Sequence, residues 1–308
     1  MILAPMADVT DVAFRRVIAK YGKPDVMYTE FVSADGLCHP EGRKKLLIDL
    51  AYTESERPIV AQLFTGHPDK MREAASLVQG LGFDGLDINM GCPDRKVEKQ
   101  CAGAALMKSP KLAREIIRAA KEGAPNLPVS VKTRIGYNKN ELATWLQELL
   151  AEKPAVVTIH CRTRKEMSDV PARWEHVREA VAIRDRLGSK TLIFGNGDVL
   201  GLNDAHAKAL ETGADGVMLG RAIFGNPFLF SDSPRSVSVC QRLEVMLEHT
   251  KLFETLFTGI KNFAVMKKHY KAYVNGFDGA KELRVELMEA ENATEVQTIV
   301  ERFLKTIR

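Results

Sequence analysis

A thiol with room to act stands at Cys92. The apolar run Phe83 to Met90 stops abruptly in Asp87-Ile88-Asn89-Met90-Gly91-Cys92-Pro93, where Gly91 and Pro93 mark a sharp turn. Cys92 therefore lies just beyond the carboxyl end of a strand, the end at which parallel α/β folds do their chemistry. Other reactive groups sit at the ends of similar runs. Lys132 follows Val129-Ser130-Val131 and points inward from its strand. A buried ammonium is stable only against an anion or an electron-rich group, so Lys132 is either salt-bridged in the core or a cation beside a cofactor. His160 ends Val156-Val157-Thr158-Ile159. Gly195-Asn196-Gly197-Asp198 and Gly220-Arg221 end two further runs, and their glycines would let backbone N–H groups approach a phosphate, with Arg221 as a clamp.

Positioning such groups requires an ordered set of strands. The short apolar runs are Ile2–Pro5, Val26–Glu30, Ile59–Phe64, Gly85–Asn89, Val129–Thr133, Val156–His160, Leu192–Asn196 and Val217–Gly220. Between them lie stretches with apolar residues three and four apart: Asp11–Tyr21, Pro68–Leu81, Pro110–Glu122, Glu141–Glu152, His176–Leu187 and Asn203–Glu211. Eight such repeats over roughly 230 residues predict an α/β protein of the (β/α)8 barrel type, a TIM barrel. A doubly wound sheet would carry a Gly-rich loop after its first strand; here Ala4-Pro5-Met6-Ala7 follows it. A barrel gathers its strand ends at one mouth. Those ends read Pro5 with Met6, Glu30, Gln62, Asn89 with Cys92, Lys132 with Arg134, His160 with Arg162, Asn196-Gly197-Asp198, and Gly220-Arg221.

After Phe230 strands disappear. The polar connector Ser231-Asp232-Ser233-Pro234-Arg235-Ser236 leads into residues of helical spacing, from Leu243 to Tyr273 and again from Leu283 to Leu304. The expected organisation is a catalytic barrel over residues 1–232 and a small helical bundle over 233–308. Lys261, Lys267, Lys268 and Lys271 recur at helical intervals and predict a basic helix face.

Composition narrows the classes. The chain has 308 residues, 45% hydrophobic and 27% charged, with a net charge of +4. That permits an anionic partner without demanding one. Cys38, Cys92, Cys101, Cys161 and Cys240 form no CxxC pair and no zinc spacing, which fits a reducing compartment. Apart from Cys92 they read as small packed hydrophobes. With no membrane-length apolar run, no leader peptide and no metal-ligand pattern, a cytoplasmic, monomeric protein without a membrane role is expected.

Taken together, the chain resembles the dihydrouridine synthases, flavin enzymes that reduce uridine in RNA. The resemblance rests on Leu3-Ala4-Pro5-Met6, Gln62-Leu63-Phe64, Asp87 to Pro93, Val131-Lys132-Thr133-Arg134, His160-Cys161-Arg162-Thr163-Arg164, Gly195 to Asp198, and Thr212 to Pro227. These run in family order through the whole barrel, and Lys267-Lys268-His269-Tyr270 is similar to the family's basic helix. The resemblance implies FMN held by Pro5, Met6, Gln62, Lys132, His160, Asn196, Gly197, Asp198, Gly220 and Arg221. It places Asn89, Arg134 and Arg162 near the uracil, Lys267, Lys268 and Lys271 against RNA, most simply tRNA, and Cys92 as the catalytic acid, with NADPH as reductant. The segment after Arg164 departs from the family pattern, with Glu166, Ser168 and Val170 in place of Gln, Tyr and Gly. Two other readings use part of the same evidence. A dihydroorotate-dehydrogenase-like barrel for a free pyrimidine would not need the basic bundle, and a non-catalytic RNA-binding barrel would not need Cys92, Lys132 and His160 together.

Overall fold

In the computed structural model, residues 1–231 and 237–306 are described. Eight parallel strands form one sheet in the order β1-β8-β7-β6-β5-β4-β3-β2. They are β1 (Ile2–Leu3), β2 (Met27–Ser33), β3 (Ile59–Phe64), β4 (Gly85–Met90), β5 (Val129–Arg134), β6 (Val156–His160), β7 (Leu192–Asn196) and β8 (Gly216–Leu219). An isolated parallel bridge from Ile2 to Val26, next to the start of β2, brings the two ends of the sheet together. The expected TIM-barrel architecture is the observed one.

Strand alternation explains how the site is held. On β5, Val129, Val131 and Thr133 are almost fully buried against the outer layer, and the Trp145 indole donates to Thr133 Oγ1 at 2.9 Å. Ser130, Lys132 and Arg134 take the opposite face. Register pairs Asp87 with Ser130 and Asn89 with Lys132 across β4 and β5, and Arg134 with His160 across β5 and β6. One sector of the barrel interior is apolar, with Ile2, Ala4, Tyr28 and Met218 packed against Val60 and Phe194. The β3–β6 sector is polar. Parallel strands buried on both faces are normally apolar throughout. A run of Gln62, Asp87, Asn89, Ser130 and Lys132 is therefore a departure that needs a chemical reason.

The chain divides into two compact units. One contains residues 1–7 and 24–221, the other residues 8–23, 222–231 and 237–306. The expected boundary between residues 232 and 233 lies outside the described residues, and the division falls earlier. The helix Val12–Tyr21, expected to be the first helix of the barrel, belongs to the second unit. There Phe14 packs on His249 and His269 at ring distances of 5.2 and 5.1 Å, and Lys20 and Tyr21 both bind Glu248. The other helices of this unit are Val239–Phe257, Met266–Tyr273, Ala280–Glu289 and Ala293–Thr306. Among the described residues no helix is long and apolar enough to cross a membrane.

The basic face differs from expectation. A turn with Gly259 at φ +75° breaks the helical pattern, so Lys261 is not on the helix Met266–Tyr273. Lys267 donates its ammonium to the carbonyl of Met288, at the end of the neighbouring helix. Lys268 and Lys271 stay exposed, with Lys268 3.8 Å from Asp8. Cys101, expected to pack, is exposed and has φ +56°.

Candidate active site

A cavity of about 280 Å³ opens at the carboxyl ends of the strands. Pro5, Met6, Lys132, Arg134, His160, Arg162, Asn196, Gly197, Asp198, Gly220 and Arg221 all line it, as do Ala4, Ser168 and Val199, none of which was expected to contact a ligand. Gln62, Asn89 and Cys92 lie outside that lining, and their side-chain hydrogen bonds run among themselves and to Asp87 and Gly91.

Lys132 is the telling residue. It is half-buried at the cavity wall, and among the described residues its ammonium makes no hydrogen bond or ion pair. Burial lowers its pKa to about 8, with repulsion from Arg134 adding to the effect and Asp87 opposing it. A cation left in this state suits an anionic or electron-rich ligand. His160 is neutral. Burial holds its pKa well below the usual range, and the surrounding Lys132, Arg134, Arg162 and Arg221 reinforce this. A guanidinium can only donate, so the 3.1 Å contact from Arg162 makes His160 Nε2 the acceptor and puts the ring proton on Nδ1.

Arg162 is nevertheless committed to the protein. Its three nitrogens bind Val170 O at 2.6 Å, His160 Nε2, and the Asp198 carboxylate. These bonds use three of its five N–H groups, and the residue also lines the cavity. Arg134 is held by three bonds as well. Its Nε reaches Gly91 O at 2.8 Å and Nη1 reaches Thr163 O and Met167 O at 3.1 and 2.9 Å, which leaves Nη2 free for a ligand among the described residues.

The loops after β7 and β8 form the other wall. Gly197 has φ +125° and Asp198 φ +48°. A side chain at Gly197 would sit 2.8 Å from the Ala172 Cβ, so glycine is required there. At Gly220 nothing lies closer than 3.8 Å to the position a Cβ would take, and the backbone is open to a ligand. Asp198 bridges Arg162 and Arg221, the latter at 2.6 Å, and the bond from Arg162 depresses its pKa. Asn196 Nδ2 donates to Met218 O at 2.7 Å and ties β7 to β8.

Cys92 sits above β4. Its N–H and that of Gly91 donate to Asn89 Oδ1 at 2.9 and 3.1 Å. Asn89 Nδ2 donates to Gln62 Oε1 at 3.0 Å, so both side chains are engaged inside the barrel. Burial raises the thiol pKa, although Arg134 and Lys132 are close enough to oppose the shift. The group is therefore a protonated thiol at neutral pH. Cys161, fully buried, is pushed up to about 12 by burial and is inert.

The fold and the site can now be set beside known proteins. The family model described as Dihydrouridine synthase (Dus) matches residues 2–308. A probable tRNA-dihydrouridine synthase of Staphylococcus aureus (strain MRSA252) is 40% identical over 304 residues, covering 98% of this chain and 92% of the relative. A probable tRNA-dihydrouridine synthase 2 of Bacillus subtilis (strain 168) is also 40% identical, covering 98% and 93%. Among solved structures, histamine dehydrogenase from Rhizobium sp. 4-9 superposes with a TM-score of 0.55 at 13% identity, over 82% of this chain and 48% of that one. At that identity the superposition speaks to the barrel fold alone. The family match spans nearly the whole sequence, and relatives of that name are 40% identical along almost its full length: the chain belongs to the dihydrouridine synthase family.

Proposed function

We propose that this protein reduces the C5=C6 bond of a uridine in tRNA, with FMN in the strand-end cavity and NADPH as the source of electrons. The observation that carries the reading is the unpaired Lys132 ammonium on the same wall as neutral His160 and the open glycine backbone after β7 and β8. These residues fit a phosphorylated, electron-rich flavin. Lys132 and the Nδ1–H tautomer of His160 would meet its polar edge, and Gly220, Gly197 and Arg221 its phosphate. FMN bound there would supply the hydride chemistry, relaying a hydride from NADPH to uracil C6.

The chain's own residues supply the rest. Cys92 keeps its proton at neutral pH and holds it for uracil C5, the carbon that becomes basic as C6 is reduced. Arg134 Nη2 and Lys132 offer positive charge to the uracil carbonyls as negative charge develops. Asn89 and Gln62 fix the turn that carries Cys92 and need not touch the ligand. A uridine within folded RNA must leave its stack to reach a cavity of this kind. Lys268 and Lys271 are the exposed cations on the helix Met266–Tyr273 and would neutralise RNA phosphates, which position the substrate without reading its sequence.

The test is reconstitution. Purified protein loaded with FMN, given NADPH and an unmodified tRNA transcript, should yield a uridine that has gained two hydrogens by nucleoside mass analysis. Failure to retain FMN would remove the cofactor assignment. Reduction of free uridine in preference to tRNA would favour a pyrimidine reductase.

A further inference from the structure

Below the thiol runs a chain of side-chain hydrogen bonds whose direction is fixed at both ends. The N–H groups of Gly91 and Cys92 can only donate, so Asn89 must present its Oδ1 to them and its Nδ2 to Gln62. Gln62 must then accept through Oε1, which turns its Nε2 toward Asp87, 2.6 Å from Oδ2. An ionised carboxylate can only accept, so Asp87 requires the same orientation from below. Ser130 donates to its other oxygen. Asp87, Gln62, Ser130 and Asn89 are all buried, so water cannot substitute for a missing link.

We infer that Asp87 is a positioning residue for Cys92, its buried carboxylate setting the orientation of two successive amides and thereby the turn that carries the thiol. The inference rests on the proposed role of Cys92 and adds a residue that the site description did not require. A buried carboxylate next to tyrosine and amides is unfavourable to keep, since burial raises its pKa to about 6 even though the hydrogen bonds from Ser130 and Gln62 and the attraction of Lys132 oppose the shift. An apolar residue would fill the same place in a barrel core. The chain instead retains a group whose useful property is that it accepts and does not donate. Without it, Gln62 is free to turn its amide over, which would set its NH2 group against that of Asn89 and release the turn.

Removing the acceptor and then restoring it gives the test. Asp87→Leu leaves the Gln62 Nε2 without its partner. Asp87→Asn keeps an oxygen that accepts from Gln62 and can turn its NH2 group to the Ser130 hydroxyl, so the direction of the chain survives. The assay on FMN-loaded full-length protein is single-turnover dihydrouridine formation in tRNA, together with the rate at which iodoacetamide alkylates Cys92, followed by peptide mass. Asp87→Leu should slow uridine reduction by about tenfold or more and alter Cys92 alkylation, while its flavin is still reduced by NADPH at the normal rate, and Asp87→Asn should recover most of both losses. Asp87→Asn as impaired as Asp87→Leu would overturn the inference, as would Asp87→Leu with normal turnover and normal alkylation. The alkylation readout does not depend on catalysis. If Cys92→Ala proves fully active, the role of Cys92 as acid fails, and the alkylation rates of the two Asp87 variants still decide whether Asp87 sets the turn.

Discussion

Replacing Lys132 by Met should make the flavin-free protein more stable and less able to bind FMN. The side chain keeps its unbranched stem and loses its charge. In the folded protein the Lys132 pKa lies at about 8 against an ordinary 10.5, chiefly because burial penalises the ammonium. At 1.36 kcal/mol per unit the charged form is disfavoured by ~3 kcal/mol at most, and loss of the attraction to Asp87 returns part of that. The penalty is full below pH 8, where folded and unfolded chains are both protonated at this site. It fades as pH rises toward 10.5 and the folded state sheds the proton first. At ~2 cal/mol/K per residue over 308 residues, ~3 kcal/mol corresponds to a rise in Tm of about 5 °C at pH 7. Calorimetry of flavin-stripped wild type and Lys132→Met from pH 7 to 10, paired with FMN titration by fluorescence, measures both effects. The expected result is a higher Tm for the variant at pH 7, a difference that shrinks toward pH 10, and FMN affinity reduced about tenfold or more. A variant that is less stable at pH 7 and binds FMN normally would show Lys132 to be a satisfied core cation, and the cofactor argument would fall with it.

Other outcomes follow from the same geometry. Cys92→Ala should bind FMN and accept electrons from NADPH normally while dihydrouridine formation drops by two or more orders of magnitude, the usual size of a general-acid contribution; unchanged turnover would remove Cys92 as the acid. Because the folded pKa of Asp87 is raised to about 6, it stabilises the fold most below its ordinary 3.8, and that contribution is lost as pH rises through 6. Stability of Asp87→Asn relative to wild type should therefore improve between pH 4 and 7, by ~3 kcal/mol at most, in denaturant titrations; a flat difference would contradict the buried carboxylate. Lys268→Glu with Lys271→Glu should weaken tRNA binding and reduce the slope of log K against log salt by about 2 or somewhat less, and an unchanged slope would remove these residues from the RNA surface. Gly197→Ala, forced to φ +125° and into the Ala172 Cβ, should lose FMN affinity before it loses the barrel, which circular dichroism and flavin content would separate.

Much of this was legible in the sequence because parallel barrels repeat one local pattern. β3, β6 and β7 begin and end where their apolar runs do, and strand alternation alone aimed Lys132 inward. The ends of β1 and of β5 to β8 meet in one cavity, since topology brings them together whatever their identity, while Glu30, Gln62, Asn89 and Cys92 lie outside its lining. Partner choice was not legible. Arg162 reads from the sequence as a substrate contact, and its bonds to His160, Asp198 and Val170 depend on loop geometry that spacing does not show. Asp87 stood inside a quoted motif without a role, because only strand register reveals Gln62 and Ser130 beside it. The first helix reads the same whichever unit it joins. Lys261 and Lys267 counted toward a basic face because spacing does not register the turn at Gly259 or the Met288 carbonyl.

The central claim is that Cys92 donates a proton to a uridine being reduced beside a flavin held in the strand-end cavity. Nucleoside mass analysis of an unmodified tRNA transcript, incubated with NADPH and FMN-loaded protein, tests it most directly, with Cys92→Ala run in parallel at matched flavin content. The account predicts a uridine that gains two hydrogens with the wild-type protein and almost none with the variant. Equal dihydrouridine from both proteins, or none from a fully flavin-loaded wild type, would contradict it.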